Sequence, residues 1–122
     1  MKGQFPTLRD KILTVNPSSL AVSAVTLFEM EYGAAKANWS RRRRNDMYLF
    51  LSTFSPIPFT EKDAVAAGQL RAVLSKLGTP IGVYDLLIAA QGLVRGFVVV
   101  THNISEFRRV PGLNVEDWVE EL

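Results

Sequence analysis

Asp85 is the only charged residue from Tyr84 to Val94, within the run Pro80-Ile81-Gly82-Val83-Tyr84-Asp85-Leu86-Leu87-Ile88-Ala89-Ala90. An ion in apolar company is costly unless something pairs with it, so this carboxylate needs a reason. One reason is structural: a carboxylate on the first turn of a helix is stabilised by the free N–H groups and the positive end of the dipole. The other is chemical: Asp85 is a metal ligand or a catalytic acid. Two further groups stand beside that choice. Glu29 lies on an apolar helical pattern with Val25, Phe28 and Tyr32, which favours an inward-facing position over the solvated one usual for a helix glutamate. His102 and Asn103 follow directly on the run Phe97-Val98-Val99-Val100-Thr101. His102, the single histidine, could touch a phosphate or move a proton, or could be a surface or capping residue.

The elements that must position these groups can be read along the chain. Thr7 to Val15 has Leu8, Ile12 and Val15 at helical spacing. Leu20 to Ser23 reads as a strand and Val25 to Ala37 as a helix, in which Gly33 and several alanines would permit close packing. Arg41 to Arg44 reads as a polar turn or a solvated helix face, and Asn45 to Thr53 as a helix. Ser55-Pro56-Ile57-Pro58-Phe59 is extended, and its prolines confine it to a sheet edge. Thr60 followed by Asp63 resembles a capping box opening a helix from Glu61 to Leu77, with Ala66, Leu70, Val73 and Leu77 on one face and Gly78 at its end. The run Phe97–Thr101 reads as a strand buried on both faces. Leu113 to Val115 reads as a last short strand, and Trp118 is expected to close the core. Helices alternating with short strands predict an α/β fold with a parallel sheet. Ligands in such folds gather at the carboxyl ends of strands, which places Thr101, His102 and Asn103 at the edge of a site.

The chain has 122 residues, 48% of them hydrophobic, a net charge of +2 and no cysteine. That is the size of one domain with a real core. Disulfides and thiolate zinc sites are excluded. No apolar run reaches the length of a membrane span, which predicts a soluble cytoplasmic protein. No glycine-rich loop follows a strand, so a phosphate-loop nucleotide-binding domain is disfavoured. The Arg41–Arg44 block, Arg71 and Arg108-Arg109 are the groups able to neutralise phosphates.

Three segments carry a resemblance. Val25-Thr26-Leu27-Phe28-Glu29-Met30-Glu31-Tyr32-Gly33 resembles the glutamate-bearing helix of PIN-domain nucleases. Pro80 to Asp85 with Leu87-Ile88-Ala89-Ala90 resembles their central aspartate motif. Val100-Thr101-His102-Asn103-Ile104-Ser105-Glu106-Phe107, then Val110-Pro111-Gly112-Leu113 and Glu116-Asp117-Trp118, resembles their C-terminal signature. The likeness spans nearly the whole chain, and within the family it is to the VapC toxins of VapBC toxin–antitoxin pairs. It implies a PIN-like three-layer fold, a parallel sheet flanked by helices. It implies an endoribonuclease dependent on Mg2+ or Mn2+, acting on tRNA or other structured RNA. It further implies a VapB-like antitoxin partner and a homodimer. Carried over residue by residue, Glu29, Asp85 and Asn103 become the metal-binding and catalytic set, Asn103 through its amide oxygen. The chemistry agrees, because phosphodiester hydrolysis needs a hard cation and magnesium prefers carboxylate and water oxygens.

One part of the family pattern has no counterpart. Members begin with a central strand ending in an aspartate, whereas Met1-Lys2-Gly3-Gln4-Phe5 runs straight into the first helical pattern. The expectation is a fold lacking the first central strand, incomplete at its N-terminus, with two apolar strands facing a gap. Weak or absent activity is expected for this form. The alternative is a catalytically dead PIN module that binds and buffers the antitoxin.

Overall fold

The computed structural model describes Asn16 and residues 19–118, in two compact units. One holds the described residues up to Pro58, the other those from Phe59 onward. The predicted Thr7–Val15 helix and the Met1–Phe5 segment lie outside the described residues.

The first unit contains β1 (Ala21–Ser23), α1 (Ala24–Lys36), α2 (Arg41–Leu51) and β2 (Ser55–Ile57). Ser23 ends the strand and caps the helix, its hydroxyl accepting the Val25 N–H at 3.0 Å. β1 and β2 are parallel, with Ala21 opposite Ser55 and Ser23 opposite Ile57. Of the two readings of the arginine block, the solvated helix face is the one found. Ser40 caps α2 by accepting the Arg43 N–H at 3.2 Å, so Arg41 to Arg44 form the first turn of the helix. Asn38, at φ 53°, turns the chain between the two helices, a left-handed conformation that asparagine tolerates. Glu31 ties α1 to α2: it pairs with Arg44 at 2.9 Å and accepts the Tyr48 hydroxyl. Gly33 is not a packing contact; it faces open space, and the neighbouring Ala34 is the buried residue.

The second unit contains α3 (Glu61–Leu77), α4 (Val83–Arg95), β3 (Val99–Val100), α5 (Ile104–Phe107) and β4 (Val115–Glu116). Its core is Leu70, Leu74, Leu86, Ala89, Val99, Phe107 and Val110, flanked by Ile81, Ile88, Leu113 and Val115. β3 and β4 are parallel, with Val99 opposite Val115. The strands are therefore parallel as expected, and among the described residues they form two two-stranded sheets. The Phe97–Thr101 run is shorter and more exposed as a strand than its composition predicts. Only Val99 is buried, while Phe97, Val98 and Val100 are exposed, and among the described residues β3 pairs with β4 alone. Trp118 is half-buried and donates its indole N–H to Glu116 at 3.0 Å.

The buried stripe of α3 is Asp63, Ala67, Leu70 and Leu74, not the stripe read through Val73 and Leu77, which are exposed. The difference comes from a charge inside the stripe. Asp63 is 0% exposed. It completes the capping box with Thr60, accepts the Gln91 amide at 3.1 Å and receives Arg95 in a two-pronged contact at 2.7 and 3.1 Å. Arg95 also donates to the Gln91 carbonyl at 3.1 Å. The arginine bond outweighs desolvation and holds the Asp63 carboxyl far below the usual carboxylate range. At the other side of α4, Gly92 lets the helix approach β3. A Cβ there would meet Val99 Cγ2 at 2.9 Å and Leu113 Cδ1 at 3.2 Å. Gly96, at φ 66°, then ends the helix and turns the chain toward the strand.

Two stability predictions follow from these contacts. Asp63→Asn should lower unfolding free energy by about 3–5 kcal/mol, the cost of orphaning a buried ion-pair partner; adding Arg95→Met should recover part of it in urea titrations. Because the folded-state pKa of Asp63 is depressed, the pair's contribution is fully present above the unfolded aspartate value, about 4. It is lost as pH falls below that value, so the neutralised variant should show a shallower acid-side decline. Gly92→Ala should destabilise by roughly 1–2 kcal/mol: overpacking against a stiff valine exceeds the helix-propensity gain of about 1 kcal/mol.

Candidate active site

Asp85 sits on the first turn of α4, behind an N-cap, Gly82, that has no side chain to offer. Among the described residues, the Gly82 N–H is instead taken by a side chain from elsewhere: it donates to Glu106 Oε1 at 3.3 Å. Glu106 comes from α5, and so the start of one helix and the body of the next are held together. Arg109, just past α5, reinforces that junction by donating to the Pro80 carbonyl at 2.8 Å.

Asn103 occupies the N-cap position of α5, a place where its side chain would ordinarily accept a backbone N–H. It makes no such cap. Its amide nitrogen donates to Asp85 Oδ2 at 2.8 Å and to Glu106 Oε2 at 3.0 Å. The loop beneath it is set by Thr101, whose hydroxyl accepts the Asn103 N–H at 2.9 Å. His102 is exposed and its Nδ1 lies 3.0 Å from Asp117 Oδ2.

Both carboxyl groups converge on the Asn103 amide. The neighbouring Asp85 carboxyl is the first reason the Glu106 carboxyl is held below its ordinary value, with the Gly82 N–H, the Asn103 amide and the charge of Arg109 acting in the same direction against desolvation. Two carboxylates in contact cannot both stay charged without a cation or a shared proton. Neither is closed off from solvent: both residues are half-buried and Asn103 is exposed.

The structure thus brings Asp85 and Asn103 together and adds Glu106, which the sequence reading quoted but did not assign. A signal for it existed: Asn103 and Glu106 are three residues apart, which places them on one face of a helix. Asn103 differs from expectation in polarity. Its NH2 group faces the acids, because two adjacent carboxylates need a donor between them. Glu29 lies on α1 in the other unit and is exposed, not inward-facing as expected: of the apolar neighbours that suggested it, Phe28 and Tyr32 are themselves exposed and only Val25 is buried.

No group of three or more acidic, histidine or cysteine residues among the described residues is arranged to hold a metal. Asp85 and Glu106 fit a different class. Magnesium keeps several waters and is held by one or two carboxylates rather than by a closed cage, and two apposed carboxylates at a solvent-facing helix start are such a donor set.

Comparison with known proteins gives the family. Residues 6–113 match the PIN domain family. The chain is 40% identical over 118 residues to the tRNA(fMet)-specific endonuclease VapC of Salmonella typhimurium, covering 97% of this chain and 89% of that protein. It is 35% identical over 106 residues to Ribonuclease VapC2 of Rickettsia felis, covering 87% and 79% respectively. In structure it is similar to a chain of DNA-bound VapBC from Salmonella typhimurium, with TM-score 0.83, 38% identity and coverage of 91% of this chain and 83% of that one. It is also similar to VapBC-1 from nontypeable Haemophilus influenzae, with TM-score 0.79, 28% identity and coverage of 91% and 87%.

The Asn103 amide is one of the groups lowering the Glu106 pKa. Asn103→Leu should therefore raise it, measured by carbon-detected NMR titration of the Glu106 carboxyl in the metal-free protein.

Proposed function

Since the chain belongs to the PIN-domain family, within its VapC ribonucleases, we propose that it is a divalent-metal-dependent endoribonuclease toxin, neutralised by a cognate VapB-like antitoxin. The observation that carries the reading is the contact of Asp85 with Glu106 under a shared Asn103 amide. Hydrogen bonds that hold two acids side by side at a solvent-facing helix start suit a cation.

Asp85 and Glu106 would hold Mg2+ or Mn2+. When bound, the ion supplies a Lewis acid that activates water and offsets charge developing on the phosphate. The remaining work is done by the chain. Gly82 and Asn103 fix the orientation of Glu106, and Asn103 fixes that of Asp85, so both side chains would be held in place for the ion. Thr101 fixes Asn103. Arg109 fixes the Pro80–Gly82 segment from which α4 starts. Glu29 enters through the family resemblance, as a further acid of the reaction. The RNA is proposed to be tRNA or another structured RNA, in keeping with the tRNA(fMet)-specific activity named for the Salmonella relative. The antitoxin partner is proposed from the VapBC complexes to which the chain is similar. No helix among the described residues is long and apolar enough to cross a membrane. We further propose action in the cytoplasm and a homodimer as the assembly.

The test is cleavage of a labelled tRNA pool by the purified chain with Mg2+ or Mn2+ against EDTA. Asp85→Asn and Glu106→Gln should each lower the rate by about 100-fold or more, as expected when a group holding a Lewis acid worth several kcal/mol is lost. Asn103→Ala should cost roughly 10- to 100-fold, the usual effect of removing a group that orients a ligand. EDTA-resistant cleavage, or full activity in both acid variants, would remove the assignment. Unchanged activity in Glu29→Gln would remove Glu29 from it.

A further inference from the structure

The second feature with unspent chemistry is the corner between α1 and α2. α2 opens with Arg41, Arg42, Arg43 and Arg44 and has no acidic residue in its first turn. This is the wrong charge for that place, because the positive end of a helix dipole favours anions. Arg44 is locally neutralised by Glu31 at 2.9 Å and braced by the Trp39 carbonyl at 3.4 Å. Arg41, Arg42 and Arg43 are exposed, and among the described residues no carboxylate pairs with them. Arg43 is instead laid flat, its guanidinium 3.8 Å from the centre of the Trp39 ring. At the end of α1, Lys36 lies 5.8 Å over the ring of Tyr32, itself exposed.

We propose that this corner is an RNA-binding surface, separate in its residues from Asp85, Asn103 and Glu106, that holds the phosphate backbone of the substrate. The inference rests on the ribonuclease reading. Two features favour RNA over an acidic protein segment. Consecutive helical residues project about 100° apart, so the three arginines fan around the helix end rather than line one face. A flexible polyanion can follow such a fan, whereas an acidic helix or strand presents its charges in a line. Guanidinium groups pair with phosphate oxygens as readily as with carboxylates, so the rings carry the second argument. Aromatic rings paired with cations are the means by which single-stranded nucleic acid is held without sequence preference.

The test uses the full chain and a fluorescently labelled unstructured RNA oligonucleotide in EDTA, with binding followed by anisotropy across a series of potassium chloride concentrations. The triple variant Arg41→Gln, Arg42→Gln, Arg43→Gln keeps residues of good helix propensity. Its plot of log affinity against log salt should be shallower by about 2, at about 0.7 for each lost phosphate contact. In cleavage assays its KM should rise several-fold with kcat little changed. Its melting temperature should stay level or rise, because charges opposing the helix dipole are gone. An unchanged salt slope and KM would overturn the proposal. So would a fall in melting temperature that accounts for the loss, or weakened antitoxin binding with RNA binding intact, the sign of a surface for an acidic protein. Binding in EDTA needs no catalysis, so a wild-type chain that binds RNA with this slope but never cleaves it would sink the nuclease reading and leave this surface standing. Cleavage with a KM indifferent to the arginines would do the reverse.

Discussion

The second unit is organised around the buried carboxylate of Asp63. An ion removed from water must be matched completely or it unfolds its surroundings, and Asp63 is matched by Thr60, Gln91 and both terminal nitrogens of Arg95. Every one of those partners has a fixed place: Thr60 at the start of α3, Gln91 and Arg95 one turn apart on α4. The pairing therefore admits a single register of α4 against α3. Since α4 is a continuous helix from Val83 to Arg95, fixing its last turn also fixes where its first turn, and Asp85, must lie. Gly92 completes the constraint by allowing β3 to lie directly against the helix.

Upon that frame the fold assembles an arrangement that is unfavourable by itself. Asp85 and Glu106 would repel each other if both were charged, yet Asn103 gives up its capping role to bridge them and the Gly82 N–H is directed at Glu106. Polar groups that a purely structural design would use to end or begin helices are used here to aim two carboxylates. Local stability is spent on orientation, which is the expected signature of a site prepared for a ligand that is not part of the chain.

Much of this was legible in the residues. The α3 boundaries and the Thr60–Asp63 box follow from local capping chemistry, and the structure reproduces them. Asp85 stood out because it is a lone charge in an apolar run. What the sequence could not show was tertiary in origin. The burial of Asp63 depends on Arg95, 32 positions away, and no periodicity reveals a carboxylate that is buried because a distant arginine meets it. Without that pair, the α3 face was placed on Val73 and Leu77. The family resemblance makes Asn103 a ligand through its oxygen, and only the fold shows its NH2 group between Asp85, 18 positions away, and Glu106. Glu106 was overlooked although its spacing from Asn103 was available. The arginine block is open to a turn or a helix face on sequence alone, and the Ser40 cap decides for the helix.

The central claim is that Asp85 and Glu106 form one cation site. Titration of Mn2+ into the full chain, read by electron paramagnetic resonance of the free ion, tests it without any substrate. The account predicts an Mn2+ ion bound per chain at these carboxylates, displaced by Mg2+ and lost in both Asp85→Asn and Glu106→Gln. Mn2+ binding that survives both substitutions, or no binding by the unmodified chain, would contradict it.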